Sequence, residues 1–295
     1  MMNCQSVLAP CLFLFAFGAI NNAQAQLLTP VVQHVGDCEN RWVLIGPPNA
    51  QTRKLGFLYV DPGAGFTLRS EGDVATDDKG TLVRQPNELD GKASVIVRIG
   101  DNRSLVCLDA AQVEALGFPV RPDWLDNYAD SRTANEHEVS WGSHYNGIGD
   151  IPHALEFLLR AQKAGETSES LWFELGYAYN ASGEFAKAEA VLKPAVDAHG
   201  KNSLLLGELA YAKSELHDFR SAITFYKRAI DVFHDGEADR RPAYAQNLAV
   251  TYCKLGDAVE SAKWSKKGNE WREKAALEMG VDAQPVLAPA NCANP

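Results

Sequence analysis

The sequence predicts an α+β chain in two domains, a small antiparallel β domain followed by an all-α helical-repeat solenoid. Three observations predict this. Short β-rich runs, separated by Gly, Pro and Asp clusters, fill residues 26–118. The hydrophobic period changes from two to helical near residue 135. From there on, the chain resembles itself at an interval of 34 residues.

The first stretch, "MMNCQSVLAPCLFLFAFGAINNAQAQ", has an apolar run over residues 7–20, then Ala23, Gln24 and Ala25. A short apolar run ending in a small-x-small pattern predicts a secretory signal over residues 1–25, with the mature chain starting near Gln26. No Lys or Arg precedes the run, so a retained anchor is the competing reading; the run is short for a bilayer. Cys11 follows Leu8, Ala9 and Pro10, but Pro10 and an apolar run lying after the cysteine fit a lipid-anchor site poorly. No other segment is apolar enough to span a membrane. The expected location is periplasmic or extracellular.

The β region reads "RWVLIG", "GFLYV", "GFTLR", "ASVIVRI" and "SLVCL" in turn. "TDDKGTL" predicts a tight hairpin loop; Asp77 and Asp78 lack the alternating oxygen ligands of a calcium loop. "DPGAG" predicts a turn and is not a phosphate loop, since no Lys-Ser/Thr follows. "DAAQVEALGF" predicts one short helix closed by Gly117. Trp42, Phe57, Tyr59 and Phe66 suit either a glycan-binding platform or a β core. Residues 119–134 form a linker in which Trp124 and Tyr128 are expected to dock on a neighbour.

With Cys4 and Cys11 in the signal, Cys38, Cys107, Cys253 and Cys292 remain, and an even count in an exported chain suits disulfides in three possible pairings. Cys38 with Cys107 is favoured, because both sit at the edges of strand-like runs in one segment. Such a loop closure stabilises by about 4 kcal/mol. Cys253 lies in a helical repeat and reads as a small buried hydrophobe; Cys292 lies in a Pro/Ala-rich tail and stays unassigned.

The second half stacks into columns. Gly142, Gly176 and Ala210 share one; Tyr145, Tyr179 and Lys213 another. Gly149 with Asp150, Gly183 with Glu184, and His217 with Asp218 mark a turn. Ala154, Ala188 and Ala222 follow, then Leu158, Leu192 and Tyr226, then Ala161, Ala195 and Ala229. After a five-residue insertion around "HDGEA" a fourth copy continues through Ala249, Tyr252, Gly256, Asp257, Ser261 and Ser265. The array spans residues 135–280, with copies near 135–168, 169–202, 203–236 and 242–275 and a polar capping helix over about 258–279; residues 281–295 are expected to be disordered. Small residues such as Gly176 and Ala188 let two helices approach, while Trp172, Leu175 and Tyr179 fill the space to the next unit. One hairpin cannot bury its apolar face alone, so units stack.

Trp172, Leu175, Gly176, Tyr179, Ala188 and Leu192 follow the W-x2-L-G-x2-Y…A-x3-F pattern, and in this the chain resembles the tetratricopeptide repeat family. The terminal Pro of that pattern is absent, and Pro194 falls inside a second helix, where it is expected to kink or end it. The resemblance implies that first helices line a concave groove for another protein or peptide segment. It implies as groove residues Asn146 from the first copy, Phe173, Tyr177 and Asn180 from the second, Tyr211 and Ser214 from the third, and Gln246 from the fourth. The set is aromatic and amide-rich, without the Lys/Arg/Asn constellation that some relatives use on a terminal carboxylate, so a neutral or apolar segment is the expected ligand. The competing reading packs Phe173 and Tyr211 between repeats, because core and groove share the helical period.

A net charge of −10, spread over both halves, argues against nucleic acid as a partner. In the capping helix, Lys263, Lys266, Lys267 and Arg272 alternate with Glu260, Glu270 and Glu273, as on a solvated face, and Trp264 and Trp271 share one side. His137, His144 and His153 do not have the spacing of one metal site, since positions seven apart lie two helical turns apart. No catalytic or cofactor motif occurs, including the nucleophile elbow, zincin, phosphate-loop and dinucleotide patterns. "NRS" and "NAS" match a glycosylation acceptor, the second inside a helix of the array. The expected function is an exported, non-enzymatic scaffold that grips a partner polypeptide in the cell envelope. The alternative is a glycan- or cell-wall-binding protein, or an enzyme whose activity resides in the β domain, with the repeats for recruitment.

Overall fold

A computed structural model describes residues 32–47, 49–86, 95–128, 133–233 and 239–280, with Asp282, Val286 and Pro289 beyond them. The expected signal segment lies outside the described residues. So does most of the expected tail, although Asn269 holds both the N–H and the C=O of Val286, at 3.1 and 3.0 Å.

Seven described strands form one antiparallel sheet: β1 (Val32–His34), β2 (Arg41–Ile45), β3 (Thr52–Asp61), β4 (Gly65–Thr76), β5 (Leu82–Arg84), β6 (Val95–Arg98) and β7 (Ser104–Cys107). Their order is β1-β7-β2-β3-β4-β5, with β6 on β4. β3 and β4 form a long hairpin whose turn is pinned by Asp61, its carboxylate accepting the N–H groups of Gly63 and Ala64 at 2.8 and 3.0 Å. The expected "TDDKGTL" loop does join β4 to β5, with the Asp77 carboxylate accepting from the N–H groups of Lys79 and Thr81. The helix α1 (Ala110–Ala115) is N-capped by Asp109 and followed by Gly117 at φ +81°.

Both faces of the sheet are covered along β2, β3 and the first half of β4, where side chains alternate between two cores because successive strand residues point to opposite sides, while β6 is exposed throughout. Trp42, Leu44, Phe57 and Tyr59 face one core, closed by Val113, Leu116 and Phe118. Trp124 and Tyr128, the expected docking residues, pack there: Trp124 lies 5.6 Å from Phe57 and 5.3 Å from Tyr59, and Tyr128 lies 4.7 Å from Tyr59. Val43, Leu58, Val60 and Phe66 face the other core. All four aromatics considered for a glycan platform, Trp42, Phe57, Tyr59 and Phe66, are buried, so they present no exposed stacking surface. Cys38 and Cys107 are disulfide-bonded, Cα to Cα 6.0 Å, as their positions predict. Cys253 departs from expectation: it is half-buried and disulfide-bonded.

Eight described helices follow in four antiparallel pairs: α2 (Ala134–Ile148) with α3 (Ile151–Lys163), α4 (Glu169–Ala181) with α5 (Phe185–Ala198), α6 (Ser203–Glu215) with α7 (Phe219–Asp231), and α8 (Arg241–Lys254) with α9 (Ala258–Met279). Each pair turns the same way. Gly149, Gly183 and Gly256 take left-handed φ angles of 80°, 76° and 87°, and His217 holds that conformation at 63°. The next residue returns its N–H to a first-helix carbonyl: Asp150 to Tyr145, Glu184 to Tyr179, Asp218 to Lys213, Asp257 to Tyr252. Within a pair the contact is close; a Cβ on Gly142 would fall 2.4 Å from Leu158, and one on Gly176 2.5 Å from Leu192. Pro194 does not end α5. It is exposed, as is Ala190, whose carbonyl loses its helical donor, so water can satisfy that group.

Sheet and array share a core. Val43, Leu58, Val60 and Phe66 lie in one buried cluster with Trp141, Tyr145, Ile148 and Leu158. The Glu39 carboxylate spans the joint, accepting from Trp141 Nε1 at 3.2 Å and from the Tyr145 hydroxyl at 3.0 Å. Gly36 is needed here, because a Cβ would fall 2.0 Å from Asp150 Oδ2.

Candidate functional site

Along the stack α4 packs on α2 and α6 on α4; α8 barely touches α6, and successive second helices touch least. A stack held more tightly along one layer curves toward that layer. The first helices α2, α4, α6 and α8 therefore line the inner face, and the candidate site is that face.

The expected groove residues fall into two groups. Phe173, Tyr177 and Tyr211 stand at the surface of the seam: Tyr177 is 37% exposed, Phe173 and Tyr211 are half-buried, and the latter two also touch the array core. Phe173 and Tyr177 lie 6.5 Å apart on one face of α4. Tyr211 packs 6.1 Å from Phe185 of α5, so it serves both the inner surface and the inter-repeat contact. Asn146, Asn180 and Ser214 instead are buried and bind the repeats together. Asn146 Nδ2 donates to the Glu174 carbonyl at 3.1 Å and to its carboxylate at 2.7 Å. One repeat on, Asn180 Nδ2 does the same to Glu208, at 3.0 and 2.9 Å. In the third repeat Ser214 pairs with Thr251 of α8 at 3.1 Å. Gln246 is half-buried on α8, and its Oε1 is buried without a partner, as are Oδ1 of Asn146 and of Asn180.

This ladder brings in residues that the sequence did not single out. Glu174 and Glu208, both half-buried, occupy the same column of successive repeats. Ser143 adds a hydroxyl donor to Glu174 at 2.6 Å. Burial pushes the Glu174 carboxyl above the usual range, against the hydrogen bonds from Asn146 and Ser143 and the pull of Arg240. Burial raises Glu208 likewise, opposed by Asn180 and Arg240 and aided by Glu174. Arg240, beside the start of α8, reaches back across α6 and sets its guanidinium 5.7 Å from the Phe173 ring centroid. The one available signal for the carboxylates was Glu174 and Glu208 recurring at the repeat interval; nothing local marked Arg240.

The histidines considered for a metal each have a protein partner. His137 stacks on Trp141 at 4.0 Å, His144 bonds Ser140 at 3.3 Å, and His153 bonds Asp150 at 2.9 Å. No group of three or more His, Cys, Asp or Glu among the described residues could hold a metal ion. No described helix is long and apolar enough to cross a membrane. On the capping helix, Lys267 lies between Trp264 and Trp271, 4.9 and 4.8 Å from their rings.

Residues 169–214 match the model of the tetratricopeptide repeat family, which spans the second copy and the start of the third. No curated protein matches the chain. Among solved structures, MamA residues 41 to the end from Desulfovibrio magneticus RS-1 is 18% identical over 48% of this chain and 76% of that one, with a TM-score of 0.42. MamA from AMB-1 is 21% identical over 51% and 86%, with a TM-score of 0.41. BtubC from P. vanneervenii is 19% identical over 53% and 68%, also at 0.41.

Proposed function

We propose that this chain is an exported, non-enzymatic scaffold that holds a partner polypeptide along the inner face of its repeat array in the cell envelope. The observation that carries this reading is the composition of that face. Among the six described buried polar atoms without a partner, three are the acceptor oxygens of Asn146, Asn180 and Gln246, beneath a surface of half-exposed Phe173, Tyr177 and Tyr211. Buried polar atoms without partners are rare in native folds, and an extended segment laid over such a surface brings backbone N–H donors and apolar side chains to it. The tetratricopeptide match over residues 169–214 supports the same reading. Export is supported by the apolar run and small-x-small pattern before Gln26, and by the Cys38–Cys107 disulfide, since disulfides persist in oxidising compartments.

The shared core of sheet and array makes the full mature chain the right bait. It is expected to recover a stoichiometric partner from an envelope extract, and Tyr177→Ala with Tyr211→Ala is expected to lose that partner while keeping the helical circular-dichroism signal. Undiminished recovery by that variant would overturn the reading.

A further inference from the structure

Some half-buried carboxylates of the array are paired with cations, Glu189 with Lys213 and Glu215 with Lys254. Glu174 and Glu208 are not. Glu174 is held by Ser143 and Asn146, and Glu208 by Asn180, all neutral donors, and neither makes an ion pair. Removing a carboxylate from water without a counter-charge is costly, and natural folds supply the counter-charge from within or from a ligand. Arg240 attracts both carboxylates yet pairs with neither, and its guanidinium sits over Phe173 instead. Two carboxylates in one column of successive repeats thus have neutral donors only, and the Oδ1 atoms of the two asparagines that hold them lack donors.

From this arrangement we infer that the groove is built for an extended segment carrying an arginine, whose guanidinium seats against Glu174 and Glu208 beside Phe173, with Arg240 holding part of that place in the free chain. A guanidinium suits the seat better than an ammonium. It is planar, forks onto carboxylate oxygens and stacks on an aromatic ring as Arg240 already does. The inference deepens the scaffold reading and rests on it. It also replaces the neutral or apolar ligand expected from the aromatic and amide residues alone with a cationic one.

The test uses the full chain and a fluorescein-labelled nonapeptide of alternating alanine and serine with one central arginine, beside the same peptide with citrulline at the centre. Citrulline keeps the shape and removes the charge. At low salt the arginine peptide is expected to bind about tenfold more tightly, the scale of one partly desolvated charge pair. Glu174→Gln with Glu208→Gln is expected to erase that ratio and leave citrulline-peptide binding unchanged; the swaps keep size and an acceptor oxygen, so the fold persists. Arg240→Ala, at the rim, is expected to strengthen arginine-peptide binding by vacating the place. A ratio near one on the unaltered chain, no arginine-peptide binding at millimolar concentration, or a ratio that survives both Gln substitutions would each overturn the inference. If the envelope partner is lost with Tyr177→Ala and Tyr211→Ala but retained with the Gln pair, the scaffold reading stands and the cationic seat falls.

Discussion

The sheet and the repeat array are built in opposite ways, and each keeps buried polar atoms without partners. In the sheet, strands distant in sequence pair edge to edge, both faces of β2 and β3 are covered, and the Cys38–Cys107 link spans a sequence separation of 69. In the array, nearly every bond runs to the same repeat or the next one, and one layer of helices keeps an open side. The sheet leaves Val95, Ile96 and Val97 of β6 exposed and the Tyr59 hydroxyl without a partner, whereas the array holds the carboxylates of Glu174 and Glu208 with neutral donors alone.

The disulfide gives the sharpest way to break that contrast. Cys38→Ser with Cys107→Ser should lower the unfolding free energy by about 4 kcal/mol, because the unfolded chain regains the freedom of the loop. Because Leu58, Phe66, Tyr145 and Leu158 share one core, tryptophan fluorescence and helical circular dichroism should move together in a urea titration. Separate transitions would show that the joint is not cooperative.

Within the array, Gly176→Ala should cost about 2 kcal/mol, as a Cβ there meets the fully buried Leu192 at 2.5 Å. The helical signal, followed in denaturant, checks it. A smaller effect of opposite sign is expected at the third turn. His217 carries a side chain where Gly149, Gly183 and Gly256 carry none, so His217→Gly should stabilise by about 0.5–1 kcal/mol.

The smallest expected effect sharpens the electrostatic half of the contrast. Burial raises the Glu174 and Glu208 carboxyls in the folded chain above their unfolded values. Between the two values the folded chain binds more protons, so stability falls as pH rises through that window. Glu174→Gln with Glu208→Gln should therefore raise the melting temperature at neutral pH, and the gain should vanish below about pH 4, where ordinary carboxyls are protonated. A gain that persists at low pH would assign the effect to packing instead of charge.

Much of the groove was visible in the sequence as positions but not as roles. Asn146 and Asn180 were picked out as groove residues, yet they are buried rungs between repeats, because an amide at that point of the helix meets the next repeat before it meets solvent. Glu174 and Glu208 were passed over because a glutamate on an amphipathic helix ordinarily marks the wet side. Only the tilt of one repeat on another draws them under cover. Pro194 was expected to kink or end α5 and does not end it, since the backbone group it orphans faces water.

The sequence alone determined the array, its turns and its small-against-large contacts, because helical packing is set by periods of a few residues repeated every 34, and such periods survive in a linear string. It also singled out the Cys38–Cys107 pair from strand edges within one segment. Only the tertiary structure decided that β2 and β3 are covered on both sides, that their second core is shared with the first repeat, and that the Arg240 guanidinium comes over Phe173. Those relations depend on curvature and on which face turns inward. Both arise from the packing of distant side chains, which no local spacing records.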